Sequence, residues 1–203
     1  MTKINKNPEL DLFQVNDPYY PYVIAEIGNN HQGSFENAIQ LIDQAIWAGA
    51  DAVKFQKRCN KKLFTPEFFD SPYINENSFA DTYGAHREFV ELNIAEMAKL
   101  NDYCKDRGIT FFATPFDFES LDDLEKLNLP FYKVASADVL HTPFLEAISR
   151  TGKNVILSTG CSTYIDIERA ISCFKRNKLA ILHCTAAYPA PVESMNLNCI
   201  PEL

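Results

Sequence analysis

No glycine-rich phosphate loop follows any apolar run in this chain: neither GxGxxG nor GxxxxGKS/T occurs. That withdraws support from the nucleotide-binding doubly wound folds. Basic residues are in deficit, 19 Lys and Arg against 27 Asp and Glu, for a net charge of −8. A general nucleic-acid binder wants a basic face, so that class is disfavoured. An anionic small ligand is not, because one or two local lysines decide it. No apolar run approaches the roughly 18 residues of a membrane span. The first residues, MTKINKNPEL, are too polar for a signal peptide. The six cysteines show neither CxxC nor Cys/His ligand spacing. They read as free thiols of a reduced, cytoplasmic protein, several of them small core residues.

What is present is a repeat of strand, polar loop and helix. With 203 residues and 46% hydrophobic composition the chain suffices for one large domain. Residues 1–20 read as a polar N-terminal arm and 21–203 as the domain. Short apolar runs at 22–27, 52–56, 109–114, 131–135, 154–158 and 179–184 read as strands. Helical periodicity covers 34–48, 85–107, 118–127, 143–151 and 164–176. Phe89 belongs to the expected inner side of the second helix. Residues 57–84 read as a long irregular loop, of a length that usually serves function. The strands are almost continuously apolar, as in a parallel sheet covered on both faces. Alternation of this kind favours an α/β fold of the (β/α)8 TIM-barrel type, incomplete here with about six units.

Chemistry in such folds gathers at the carboxyl ends of the strands. Those ends carry Glu26, Asn30 and His31; Lys54 and Gln56; Thr114; Lys133, Ser136 and Asp138; Ser158; and finally Thr185 and Tyr188. Lys54 and Gln56, two apart in a strand, share a face. A lysine inside an apolar strand is costly unless it meets an anion or lines a cavity. Lys133, in FYKVAS, repeats the anomaly. Alone, such a lysine is more often a rim residue. A pair at equivalent positions, with hydroxyls from Thr114, Ser136 and Ser158, makes a cage for a phosphate plus a carboxylate. Glu26 reads either as a structural ion-pair partner or as an acid/base. His31 reads either as a loop or helix-capping group or as a ligand contact. His183, mid-strand, reads as a satisfied core histidine, and His86 and Arg87 as solvated or as part of the site.

The stretches IAEIGNNHQGS, AGADAVKFQKR, TYGAHRE, FFATPFD, LPFYKVASAD, NVILSTG and LHCTAAYPAP occur in this order over roughly 21–191. In them the chain resembles the N-terminal barrel of the sialic acid synthase family (N-acetylneuraminate, legionaminate and pseudaminate synthases). The resemblance implies condensation of phosphoenolpyruvate with an open-chain N-acylated amino sugar of the mannosamine type, giving a nonulosonate and phosphate. It implies that Lys54, Thr114, Lys133, Ser136 and Ser158 hold phosphoenolpyruvate. Glu26 would act as acid/base on the sugar, with Asn30, His31, Gln56, Asp138 and Tyr188 on the substrate side. It further implies a divalent metal, Mn²⁺ or Mg²⁺, whose histidine ligands are expected beyond Leu203, on two strands this chain does not include. A C-terminal antifreeze-like domain and a homodimer belong to the full-length form. The chain departs from the family at Ala186, where Asn or Ser is common. Two other readings stand beside this one. The first is a barrel remnant without catalysis that binds a small anion or a partner chain. The second is a different phosphoenolpyruvate aldol-type synthase.

Overall fold

The computed structural model describes residues 12–14 and 21–203. The expected arm, 1–20, therefore lies outside the described residues except for a single 3-10 turn, Leu12–Gln14. Six strands follow in chain order: β1 Ile24–Gly28, β2 Ala52–Lys57, β3 Thr110–Pro115, β4 Phe131–Val134, β5 Asn154–Ser158 and β6 Leu179–Leu182. Each pairs in parallel with the next, so sheet order equals chain order. Between them run eight helices: α1 Phe35–Ala48, α2 Asn60–Leu63, α3 Pro66–Phe69, α4 Tyr83–Phe89, α5 Ile94–Arg107, α6 Phe118–Glu125, α7 Thr142–Arg150 and α8 Tyr164–Ser172.

Local chemistry sets these boundaries. Ser34 caps α1 by accepting from the Asn37 N–H, and Gly49 closes it at φ 87°, a conformation glycine adopts without a Cβ clash. Asn93 and Glu96 form a reciprocal capping box at the start of α5. That cap is why the single helix expected over 85–107 is in fact two. Residues 90–93 break it, and Phe89, expected on the inner side, is 54% exposed. The end of α4 is seated elsewhere: a Cβ on Gly33 would lie 2.1 Å from the Phe89 carbonyl oxygen, so only glycine admits this approach. The stretch expected to be irregular, 57–84, contains α2, α3 and the start of α4, held by a cluster of rings including Phe64, Phe68, Tyr73 and Tyr83.

Alternation along the strands builds two apolar layers. Val53, Phe55, Phe111, Tyr132 and Leu157 point outward beneath the helices, against Leu100, Phe144 and Ile148. Ala52, Phe112, Phe131 and Ile156 point inward, packed with Leu12 and Phe13; the Phe13 and Phe131 rings meet edge to face at 5.7 Å. A flat six-stranded sheet would hold its outer strands about 24 Å apart, five spacings of ~4.8 Å. Here Glu26 of β1 and Leu182 of β6 line one cavity, so the sheet curls into an open barrel. Of the six cysteines, all free, only Cys104 is buried, so the expectation of several core thiols holds at one position. His183 falls just after β6 rather than within it, half-buried and 2.6 Å from the Met195 carbonyl.

Candidate active site

The inner face changes character at the carboxyl ends. A cavity of about 690 Å³ opens there above Phe112 and Ile156. Lys54 and Lys133 reach into it from β2 and β4, each only 8% exposed. Lys54 Nζ lies 2.7 Å from Glu26 Oε2 and donates to Thr114 Oγ1 at 3.0 Å. The register explains the ion pair, because Glu26 and Lys54 are direct partners across β1 and β2. Among the described residues, no carboxylate lies within ion-pair distance of Lys133. Its Nζ donates to the Val134 carbonyl at 2.8 Å and to the Ser158 hydroxyl.

Burial lowers the pKa of Lys54, with Glu26 opposing. It also pushes Lys133 down to about 8, and the positive charge of Lys54 adds to that shift. Two ammonium groups thus share a low-dielectric hollow with one carboxylate, and Glu26 itself is half exposed. Such a site has an unbalanced positive charge that an anion would neutralise.

The remaining expected residues divide. Gln56, Ser136 and Tyr188 also line the cavity, Tyr188 from an almost fully exposed position. Ser136 Oγ accepts from the Gly160 N–H at 2.9 Å, and a Cβ on Gly160 would come within 3.0 Å of that oxygen. Asn30, His31 and Asp138 do not line the cavity. The Asn30 amide turns back to the Ile27 carbonyl at 2.9 Å. His31 is 2% exposed, stacked 5.9 Å from Phe55, with Nδ1 accepting from the Gly33 N–H. Burial takes its pKa down to about 4, so it is a neutral packing and loop-closing group. Asp138 is largely buried, its Oδ2 has no hydrogen-bond partner, and burial raises its pKa to about 6.

The structure adds residues that strand-end reasoning left without a role. Arg58 lies 3.6 Å over the ring of Phe116, a cavity residue, and its Nη1 donates to Gln56 Oε1 at 2.7 Å. It fixes the carboxamide that faces the hollow. Cys184 also lines the cavity and donates to Ser158 Oγ at 3.3 Å. A guanidinium two residues beyond Gln56 was a readable signal; the Cys184 contact depends on how β5 and β6 sit and was not. Among the described residues, no three His, Cys, Asp or Glu side chains converge to hold a metal ion, and no helix is long and apolar enough to cross a membrane.

Comparison with known proteins places the chain in a family. The NeuB family model matches residues 41–203. The N-acetylneuraminate-9-phosphate synthase of Drosophila melanogaster is 35% identical over 185 residues, covering 90% of this chain and 50% of that protein. The N,N'-diacetyllegionaminic acid synthase of Campylobacter jejuni is 35% identical, covering 89% and 56%. Among solved structures, the N-acetylneuraminic acid synthetase of Leptospira borgpetersenii superposes with a TM-score of 0.77 at 33% identity, covering 89% of this chain and 60% of that one. The chain thus spans about half the length of the curated relatives it matches. With fold and sequence in agreement over about nine-tenths of its length, this chain belongs to the NeuB family.

Proposed function

We propose that the cavity binds phosphoenolpyruvate and supports its condensation with the aldehyde of an N-acylated amino sugar of the mannosamine type. The enol C3 forms a bond to the aldehyde carbon, and the aldehyde oxygen takes up a proton. Water then adds at C2, and phosphate departs with cleavage of the C2–O bond, leaving a 2-keto nonulosonate. Lys54 and Lys133 hold the phosphate and carboxylate of the enol ester, with Thr114 and Ser158 as hydroxyl partners. Glu26, exposed on one side and paired to Lys54 on the other, carries the proton at the aldehyde oxygen. Gln56, steadied by Arg58, faces the sugar.

The family resemblance adds a divalent cation that would polarise the aldehyde. The described residues do not form a cation site of their own, and the steps assigned to Glu26 and the lysines do not pass through one.

One observation carries this reading. Lys133 is buried beside a second ammonium group and, among the described residues, has no carboxylate partner in ion-pair range. A purely structural role leaves that cost unexplained; a bound dianion removes it. The test is calorimetric titration with phosphoenolpyruvate, followed by phosphate release on adding Mn²⁺ and N-acetylmannosamine. Saturable binding that Lys133→Met abolishes is expected. Failure of the unsubstituted protein to bind phosphoenolpyruvate would sink the proposal.

The names of the relatives divide on one chemical point. Some make a 9-phosphorylated product and some an unphosphorylated one. Three carbons come from the enol ester, so a 9-phosphate begins as a phosphate on C6 of the sugar.

A further inference from the structure

Thr114, Ser136 and Ser158 bring hydroxyl groups to the cavity wall, and a protein donor already holds each oxygen. Thr114 Oγ1 accepts from Lys54 Nζ at 3.0 Å. Ser136 Oγ accepts from the Gly160 N–H at 2.9 Å. Ser158 Oγ accepts twice, from Lys133 Nζ and from the Cys184 thiol, whose Sγ lies 3.3 Å away. A hydroxyl has two acceptor lone pairs and one proton to donate, and an ammonium group only donates. Both lone pairs of Ser158 are therefore engaged. Its own O–H has to point elsewhere, and among the described residues no acceptor receives it.

The backbone sets the thiol in this place. Ser158 pairs with Leu182 across β5 and β6, and Cys184 stands two residues on. The Leu182 carbonyl accepts from the Thr159 N–H at 3.2 Å and from the Thr159 hydroxyl at 2.9 Å. The two segments are thus pinned where the thiol meets the hydroxyl. Gly160 closes the same corner, since a Cβ there would lie 3.4 Å from the Cys184 carbonyl oxygen. Cys184 is half-buried and itself lines the cavity. Filling that corner would need only a small apolar group. A thiol adds a donor, and because its sulfur is a weak acceptor it does not compete for the Ser158 proton.

We infer that Cys184 is a positioning residue for the anion site: with Lys133 it occupies both lone pairs of Ser158 and so turns the hydroxyl proton toward an oxyanion bound in the cavity. Without the thiol one lone pair is free and the proton can rotate, a freedom that binding then has to remove. A donor aimed in advance avoids that cost. The inference rests on the proposed binding of phosphoenolpyruvate.

The test joins infrared spectroscopy to calorimetry. The S–H stretching band of Cys184 is the one lost in Cys184→Ala. In Ser158→Ala that band should move to higher frequency, because its acceptor is gone. Phosphoenolpyruvate should bind Cys184→Ala about two- to tenfold more weakly than the unsubstituted protein, the weight of one hydrogen bond. Cys184→Ser keeps a donor but adds a competing acceptor, so it should recover part of that loss. In the Ser158→Ala background, Cys184→Ala should cost nothing further. Thermal melts establish that the variants fold; if Cys184→Ala does not, Cys184→Val, close in size and without a donor, takes its place. A band unmoved by Ser158→Ala, full affinity in Cys184→Ala, or the same loss with and without the Ser158 hydroxyl overturns the inference. Failure of the unsubstituted protein to bind phosphoenolpyruvate overturns the condensation instead, and the positioning of Ser158 then stands or falls on the band shift.

Discussion

Ile156 and Ser158 stand on the same face of β5, two residues apart, yet they belong to different regions of the molecule. Ile156 closes the hydrocarbon floor with Ala52, Phe112 and Phe131. Ser158 faces Lys133 at the rim. The same step occurs on β2 from Ala52 to Lys54 and on β4 from Phe131 to Lys133. The floor is neutral, sealed by Leu12 and Phe13, and every group in it gains from burial. The rim is equally buried but positively charged, and burial works against its lysines. A fold that tolerates this difference over about 7 Å of strand has a stable layer supporting an unstable one, as functional sites commonly do.

The largest test of that contrast makes the rim resemble the floor. Lys133→Met removes a desolvated charge and its repulsion with Lys54, and strands no carboxylate among the described residues, because Lys133 pairs with none of them. We expect unfolding free energy to rise by about 1–3 kcal/mol in urea titration. Phosphoenolpyruvate affinity should fall about 10²–10³-fold, the cost of deleting one partner of a buried charge pair. A variant that loses stability would show that the lysine is structural.

The next test attacks the floor. Phe131→Ala deletes a ring that is 1% exposed and touches both Phe13 and Phe112. The cavity left should cost about 3–5 kcal/mol of stability. Because β4 carries Lys133 two residues on, binding should weaken as well, but by less than in Lys133→Met. Binding that fails before stability does would mean the two layers are not mechanically distinct.

Much of this contrast was legible in the chain itself. The alternation of apolar runs with helical periodicity placed six strands, and the lysines in AVKFQ and FYKVA stood out because nothing local could balance them. What was hidden depended on contacts between distant segments. His31 sits in a loop next to Glu26 and reads as a ligand contact, but its ring is turned under Phe55, 24 residues away. The helix over 85–107 keeps its apolar period across the break at 90–93. Only Asn93 and Glu96, three apart, mark the new start, a signal that was present and outweighed by the period. Asp138 follows Ser136 closely, yet the 3-10 turn Ser136–Asp138 carries the two side chains to different sides of the cavity wall.

The smallest test is pH, and it discriminates between the layers because the four buried side chains of the floor, Ala52, Phe112, Phe131 and Ile156, do not titrate. Lys133 is held at about 8 against an ordinary 10.5, a gap worth roughly 3 kcal/mol. Its folded-state value lies below its unfolded value, so between pH 8 and 10.5 the unfolded chain binds more protons. Stability from this group therefore increases as pH rises through that window. Anion binding runs the other way, since it needs the ammonium form: affinity for phosphoenolpyruvate should drop up to tenfold per pH unit above about 8. Titrating both quantities on one preparation should give curves of opposite slope. In Lys133→Met the rise in stability over pH 8 to 10.5 should shrink, because the group responsible is gone. Parallel slopes in the unsubstituted protein would mean that the charge on Lys133 serves the fold rather than the ligand.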